Sequence, residues 1–122
     1  MIPKFRAWDG DYKKMLDVDS IDFKYQTAWL SWHDDDVNQG AYELPIKDLK
    51  LMQYTGFKDK NRKEIFDGDI VKHGVWNDID RVEIVGRGFL LVPIMDWDEE
   101  YINECEIIGN IYENPELMEE ID

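Results

Sequence analysis

The sequence predicts an all-β domain, mostly antiparallel and curled into a small, partly open barrel, with one short helix at its C-terminal end. Three observations carry that expectation. Apolar and polar residues alternate in short runs along much of the chain, as on strands with one buried face. Asp-Gly and other Gly- or Asn-containing breaks separate those runs. Aromatic residues make up 13% of the 122 residues, and they favour strands and fill a small barrel with few side chains. A chain of this length supports one modest core. Residues 1–122 are therefore expected to form a single domain, with 51–113 as the barrel-forming portion and 114–122 as the helix.

Lys4-Phe5-Arg6-Ala7-Trp8 alternates and reads as a first strand. Asp9-Gly10-Asp11 turns it, and Tyr12 to Leu16 returns as the second arm of a hairpin. Ile21 to Tyr25 alternates again, which places Ile21, Phe23 and Tyr25 on one face. A short Gln26-Thr27 connection leads to Ala28 to Trp32, and His33 to Gly40 (HDDDVNQG) reads as an acidic loop. Pro45 points to an edge or entry position. Ile46 to Lys50 fits either a strand lead-in or a single helical turn.

The densest signal is Leu51 to Val71, LMQYTGFKDKNRKEIFDGDIV. Leu51 to Thr55 reads as a strand entering a turn at Gly56. Lys58, Lys60, Arg62 and Lys63 mark a charged hairpin tip, and Glu64 to Phe66 returns. Asp67, Gly68 and Asp69 form a further turn whose carboxylates accept backbone N–H bonds. Leu51, Ile65, Ile70 and Val71 are expected to anchor this stretch.

Ile79 to Val85 alternates, with Asp80, Val82 and Ile84 on one face. Gly86-Arg87-Gly88 is a turn. Phe89 to Met95 is a nearly unbroken apolar run and so a candidate for a central, doubly buried strand, with a bulge or edge switch at Pro93. Asp96 to Glu100 reads as an acidic connection. Glu104 to Tyr112 is the last strand, with Gly109 as a bulge or close-approach site. Asn114 as N-cap and Pro115 at the first helical position open the terminal helix, docked by Leu117 and Ile121.

Net charge is −14, and it is unevenly placed. Residues 1–50 hold 7 basic and 10 acidic side chains, residues 51–90 hold 7 of each, and residues 91–122 hold 11 acidic and no basic ones. That distribution opposes non-specific nucleic-acid binding, which needs clustered Lys and Arg. A single cysteine, Cys105, excludes an intramolecular disulfide and a Cys-cluster zinc site. The chain holds no apolar run of membrane-spanning length and no leader-like start, so a cytoplasmic protein without membrane contact is expected.

The candidate chemical constellations each fail a spacing test. Asp34-Asp35-Asp36 beside His33 offers oxygen ligands for a hard cation, but adjacent carboxylates do not converge on one ion, and the loop reads as solvated. The central DKNRKEIFDGD places Lys63 and Glu64 where a calcium loop needs a ligand and a glycine. Asp96, Asp98, Glu99 and Glu100 form a linear run without the opposed geometry of acid–base pairs. His33 and His73 lack companions at metal-ligand spacing, and Cys105 beside Ile107 and Ile108 reads as a small buried hydrophobe. Gly86-Arg87-Gly88 lacks the rest of a phosphate-binding glycine motif. The five tryptophans fit core filling better than a base-stacking platform. The expectation is therefore no cofactor, no metal and no catalytic residue.

Three blocks in order, KFRAWD (4–9), LMQYTGFKDKNRKEIFDGDIV (51–71) and IIGNIYENPEL (107–117), resemble the YopX family of phage and prophage proteins. The resemblance implies a small, mostly β protein encoded by a phage or prophage and acting in the bacterial cytoplasm. It implies no known molecular activity. The family commonly has Asn-Gly at the central hairpin tip where this chain has Asn61-Arg62, which leaves the turn type open. The leading expectation is a non-enzymatic interaction protein that binds a host or phage partner through an exposed edge or an acidic face, with the hairpin of Lys58, Lys60, Arg62 and Lys63 as a candidate contact. The alternatives are a nucleic-acid-binding β-barrel using that hairpin and a divalent-metal-dependent hydrolase. Open sheet edges make a homo-oligomer plausible.

Overall fold

The computed structural model describes residues 4–33, 39–85, 88–92 and 98–121. Ten strands follow in order among these residues: β1 (Phe5–Asp9), β2 (Lys14–Asp22), β3 (Thr27–His33), β4 (Gln39–Pro45), β5 (Lys50–Lys58), β6 (Glu64–Phe66), β7 (Asp69–His73), β8 (Ile79–Val85), β9 (Gly88–Val92) and β10 (Cys105–Asn110). Two 3-10 helices, Ile46–Asp48 and Pro115–Glu120, and one short α-helix, α1 (Glu99–Asn103), complete it. The pairings are antiparallel, as the alternation implies. The strands form two sheets, and among the described residues neither closes into a barrel.

The chain divides into two compact units, Met1–Gln53 and Tyr54–Asp122. In the first, neighbouring strands run β4-β3-β2-β1-β5. The opening hairpin is present, with Trp8 opposite Met15 and Asp9 opposite Lys14. Ala7, Leu16, Ala28, Leu30 and Leu49 make a core cluster. The outer strand β4 ends at Pro45, where a missing N–H disturbs no ladder. Ile46–Asp48 is a single 3-10 turn leading into β5, which decides between the two readings of that segment.

Two strand assignments in this unit need correction. Tyr12 lies in the loop before β2, not in the returning strand. The alternation over Ile21 to Tyr25 is also no strand: β2 stops at Asp22, and both Phe23 and Tyr25 are exposed. The cause is local. Asp22 Oδ1 accepts the Lys24 and Tyr25 N–H groups at 2.9 and 3.0 Å, and that turn competes successfully with strand extension. His33 ends β3 and Gln39 and Gly40 begin β4, so the expected acidic loop is shorter; its Asp34, Asp35 and Asp36 lie outside the described residues.

In the second unit, residues 54–58 of β5 pair with β6, and a four-stranded sheet runs β10-β7-β8-β9. Ile65, Val71, Val82, Leu91, Ile102 and Cys105 form its core. Asp80 and Val82 are buried and Ile84 packs on the core, so β8 alternates as its sequence implies. β9 was expected to be central but is the outer strand of this order. An apolar run reports burial, and Leu91 is buried, yet it does not report how many neighbours the strand has. Gly86, Arg87, Pro93 and the start of the acidic connection lie outside the described residues; β8 and β9 pair from Val85 opposite Gly88.

The connection read as plain loop contains α1. Asp98 Oδ1 accepts the Tyr101 N–H at 2.7 Å as an N-cap, and the helix buries Ile102. Gly109 sits at a bulge in β10 as expected. A Cβ there would stand 2.5 Å from Asn114 Oδ1 and 2.9 Å from Leu117 Cδ1, so the close approach needs glycine. The terminal helix is a 3-10 helix with Pro115 at its start, but Asn114 does not cap it. Its Oδ1 accepts instead from the Asn110 N–H at 3.2 Å, tying the helix back to β10.

Candidate functional site

The central hairpin is tied down at its tip. Asp59 is buried, and its Oδ1 accepts the Asn61 and Lys63 N–H groups, both at 2.9 Å. Its Oδ2 accepts the Ile107 N–H of β10 at 3.0 Å. The Lys60 N–H donates to the Cys105 carbonyl at 2.8 Å, and Lys60 Nζ sits 3.5 Å from a Glu106 carboxylate oxygen. The tip therefore lies along β10 and does not stand free. Lys58, Arg62 and Lys63 expose their side chains. Positive φ falls on Arg62 (66°) and not on Asn61, and the Arg62 N–H donates to the Asp59 carbonyl at 2.9 Å. This is a three-residue loop with one left-handed residue at its end, not a two-residue type I′ turn.

Gly56 (φ 92°) marks the register shift of β5 against β6, and Gly68 (φ 90°) turns the chain into β7. Asp67 Oδ1 accepts the Ile84 N–H at 3.3 Å, and buried Asp69 accepts the Phe66 N–H at 2.8 Å. Both carboxylates hold backbone, as their turn setting implies.

A different feature emerges from the loops. Among the described residues, three hairpin loops are built on one plan: the residue before the loop accepts the N–H groups two and three positions on, and the residue four positions on takes positive φ. Asp9 holds Asp11 and Tyr12, with Lys13 at φ 54°. Asp22 holds Lys24 and Tyr25, with Gln26 at φ 55°. In the β7–β8 loop His73 takes the aspartate's place: its Nδ1 accepts from Val75 at 3.1 Å and Trp76 at 3.0 Å, with Asn77 at φ 61°. Each loop thereby displays an aromatic three residues on, with Tyr12 71%, Tyr25 68% and Trp76 70% exposed.

The β7–β8 loop borders a cleft of about 390 Å³ lined by His73, Val75, Trp76, Asp98, Glu100, Tyr101 and Glu104. His73 is 3% exposed and stacks on Tyr101 with ring centroids 4.3 Å apart. Because Nδ1 accepts, the imidazole proton sits on Nε2, which leaves no lone pair there for a metal ion. Among the described residues no three His, Cys, Asp or Glu side chains are placed to hold one. Tyr101 Oη lies 3.4 Å from Asp80 Oδ2; burial first, then the Asp80 charge, raise the phenol's pKa. Burial likewise pushes the Cys105 thiol up to about 12, with Asp80 and Asp59 adding to it, so the thiol stays protonated and unreactive near neutrality. It donates to the Tyr101 carbonyl at 3.5 Å, the setting of a packed core thiol.

Of the hairpin cations none lines this cleft, but Lys60 Nζ lies beside Gly74 of the same loop, 3.8 Å from where a Cβ would stand. Metal-ligand spacing gives no sign of the Val75, Trp76 and Tyr101 side chains that surround His73. A usable signal existed: Asp9…Tyr12 and Asp22…Tyr25 share a spacing of three that His73…Trp76 repeats.

These features define a small protein of antiparallel sheets whose loops hold aromatic side chains in solvent. The chain belongs to the YopX family: the family described as YopX protein matches residues 4–119. It is also similar to the crystal structure of protein EF1440 from Enterococcus faecalis, with 26% identity and a TM-score of 0.72 over 97% of this chain and 99% of that one. No curated protein matches the chain.

Proposed function

We propose that the chain is a non-enzymatic interaction protein, encoded by a phage or prophage and acting in the bacterial cytoplasm, which captures a host or phage protein at the β7–β8 loop. The observation that carries this reading is the pair Val75 and Trp76, 67% and 70% exposed, on a loop fixed from beneath by a buried histidine. Apolar side chains held rigidly in water lose little freedom on binding, and tryptophan is among the residues most enriched at binding hot spots. The similar structure from a bacterium supports the setting.

The test is affinity capture from lysate of infected bacteria at low salt, comparing the protein with its Trp76→Ala variant. A partner retained by the parent and lost by the variant is the expected result. Identical captures, or none with either, would refute the reading. Nucleic-acid binding through Lys58, Arg62 and Lys63 is the weaker second reading, since Glu106 already engages Lys60 and the net charge is −14. Titration of DNA and RNA at varied salt decides it, because phosphate contacts give a steep negative salt slope.

A further inference from the structure

We infer that His73 is a pH-sensitive latch on the β7–β8 loop: a proton taken up at Nδ1 releases the Val75 and Trp76 backbone, while the matching Asp9 and Asp22 loops stay closed. This deepens the interaction reading by giving the Trp76 contact a regulation, and its functional meaning rests on that reading. The carrying observation is the atom that holds the turn. His73 Nδ1 accepts the Val75 N–H at 3.1 Å and the Trp76 N–H at 3.0 Å. A neutral imidazole has one accepting nitrogen, and the other already carries its hydrogen. Protonation must therefore use the lone pair that holds the loop. An imidazolium donates at both nitrogens, so its Nδ1–H would face two N–H groups and neither bond survives.

The other two loops are internal references. Asp9 and Asp22 hold the equivalent N–H pair with a carboxylate oxygen. Carboxylates ordinarily take up a proton at about pH 4 and imidazoles at about pH 6.5. Between those values the histidine loop alone loses its acceptor. The closed loop excludes the proton at Nδ1 and the open loop admits it, so opening becomes more favourable as pH falls. The released part is short. The His73 N–H still donates to the Asp78 carbonyl, the Asn77 N–H to the His73 carbonyl and the Gly74 N–H to the Glu104 carbonyl, all at 2.9 Å. The hairpin stays paired, and residues 75 and 76 with their exposed side chains come free. Ionisable groups reach this loop from every element packed on it. Asp98, Glu100, Tyr101 and Glu104 come from α1 and its flanks, with Tyr101 stacked on the ring. Cys105 of β10 lies opposite His73, Asp78 and Asp80 stand at the start of β8, and Lys72 precedes His73 on β7. Lys60 Nζ, beside Gly74, is the ammonium from the hairpin tip.

The test is an NMR titration of the full chain from about pH 7.5 to about pH 4.5, a range that brackets ordinary histidine protonation. At the upper end the ring nitrogen signals of His73 should show the Nε2–H tautomer. As pH falls, the Val75 and Trp76 amides should move with the His73 ring in one transition, and their protection from exchange should drop about tenfold. The amides of Asp11, Tyr12, Lys24 and Tyr25 should keep their protection within about twofold. His73→Asp copies the acceptor of the other loops and should hold Val75 and Trp76 closed to about pH 4.5. His33→Gln removes the chain's other histidine and should leave the transition in place. Where His73→Asp does not fold, the parent titration decides by itself, because its aspartate loops are the comparison. An Nδ1–H tautomer at neutral pH, a loop that stays protected throughout, or an equal response in the Asp9 and Asp22 loops would overturn the inference. A silent loop alongside Trp76-dependent capture would remove this inference alone. A working latch with capture indifferent to Trp76 would remove the reading beneath it.

Discussion

Replacing Asp59 tests whether a single buried carboxylate joins the central hairpin to β10. The side chain accepts three backbone N–H groups, two in its own loop and one from Ile107 across the sheet. Hydrogen bonds to a charged acceptor contribute roughly 1.5–3 kcal/mol each. The Asn61 and Lys63 amides belong to exposed residues and can turn to water, so they count at about 0.5–1 kcal/mol apiece. The Ile107 amide, facing the hairpin, counts near the full value. Asp59→Ala should therefore cost about 3–4 kcal/mol. With a urea m-value of about 1.5 kcal/mol/M, the unfolding midpoint falls by about 2–2.7 M with the slope unchanged. Asp59→Asn retains one acceptor oxygen but turns an NH₂ toward a donor, and should cost about half as much. The Ile107 amide should exchange with solvent faster in both variants. A midpoint shift under about 0.3 M for Asp59→Ala, or an asparagine variant less stable than the alanine one, would refute the argument.

The same hairpin predicts that Arg62→Gly stabilises by about 0.5–1 kcal/mol, because glycine tolerates the left-handed conformation; thermal unfolding measures it. Gly109→Ala should cost about 1–3 kcal/mol by driving a methyl group into Asn114 and Leu117, with the loss concentrated in amide protection of residues 114–121. Alkaline pH should destabilise the fold. The Cys105 thiol rises from about 9 to about 12 by burial, and the Tyr42 phenol from 10.0 to about 12 by burial and its bond to Asp9. Between those values the unfolded chain binds fewer protons than the folded one, so stability is full below about pH 9 and falls as pH rises toward 12. The slope is at most about 1.4 kcal/mol per pH unit for each group. Urea midpoints from pH 7 to 11 check it, and a flat profile above pH 9 contradicts it. The hydrolase alternative meets its own check in thermal unfolding with Mg²⁺, Mn²⁺, Ca²⁺ and Zn²⁺, where an unmoved midpoint removes it.

What the sequence determined by itself is the part governed by neighbours along the chain. Alternation put Asp80, Val82 and Ile84 on one face, Asp67-Gly68 marked a turn, and glycine at 109 marked a bulge or a close approach, because each follows from local geometry. The same local rules misled where two of them compete: Ile21 to Tyr25 alternates like a strand, but the Asp22 carboxylate claims the backbone first. Only the tertiary structure decided that β9 lies at an edge, that Asp59 reaches Ile107, 48 residues on, and that α1 brings Asp98, Glu100 and Tyr101 to His73. Those contacts join segments far apart in sequence, and their geometry is set by how the whole sheet packs. Periodicity reports which face of a strand is buried and carries no record of what lies opposite it.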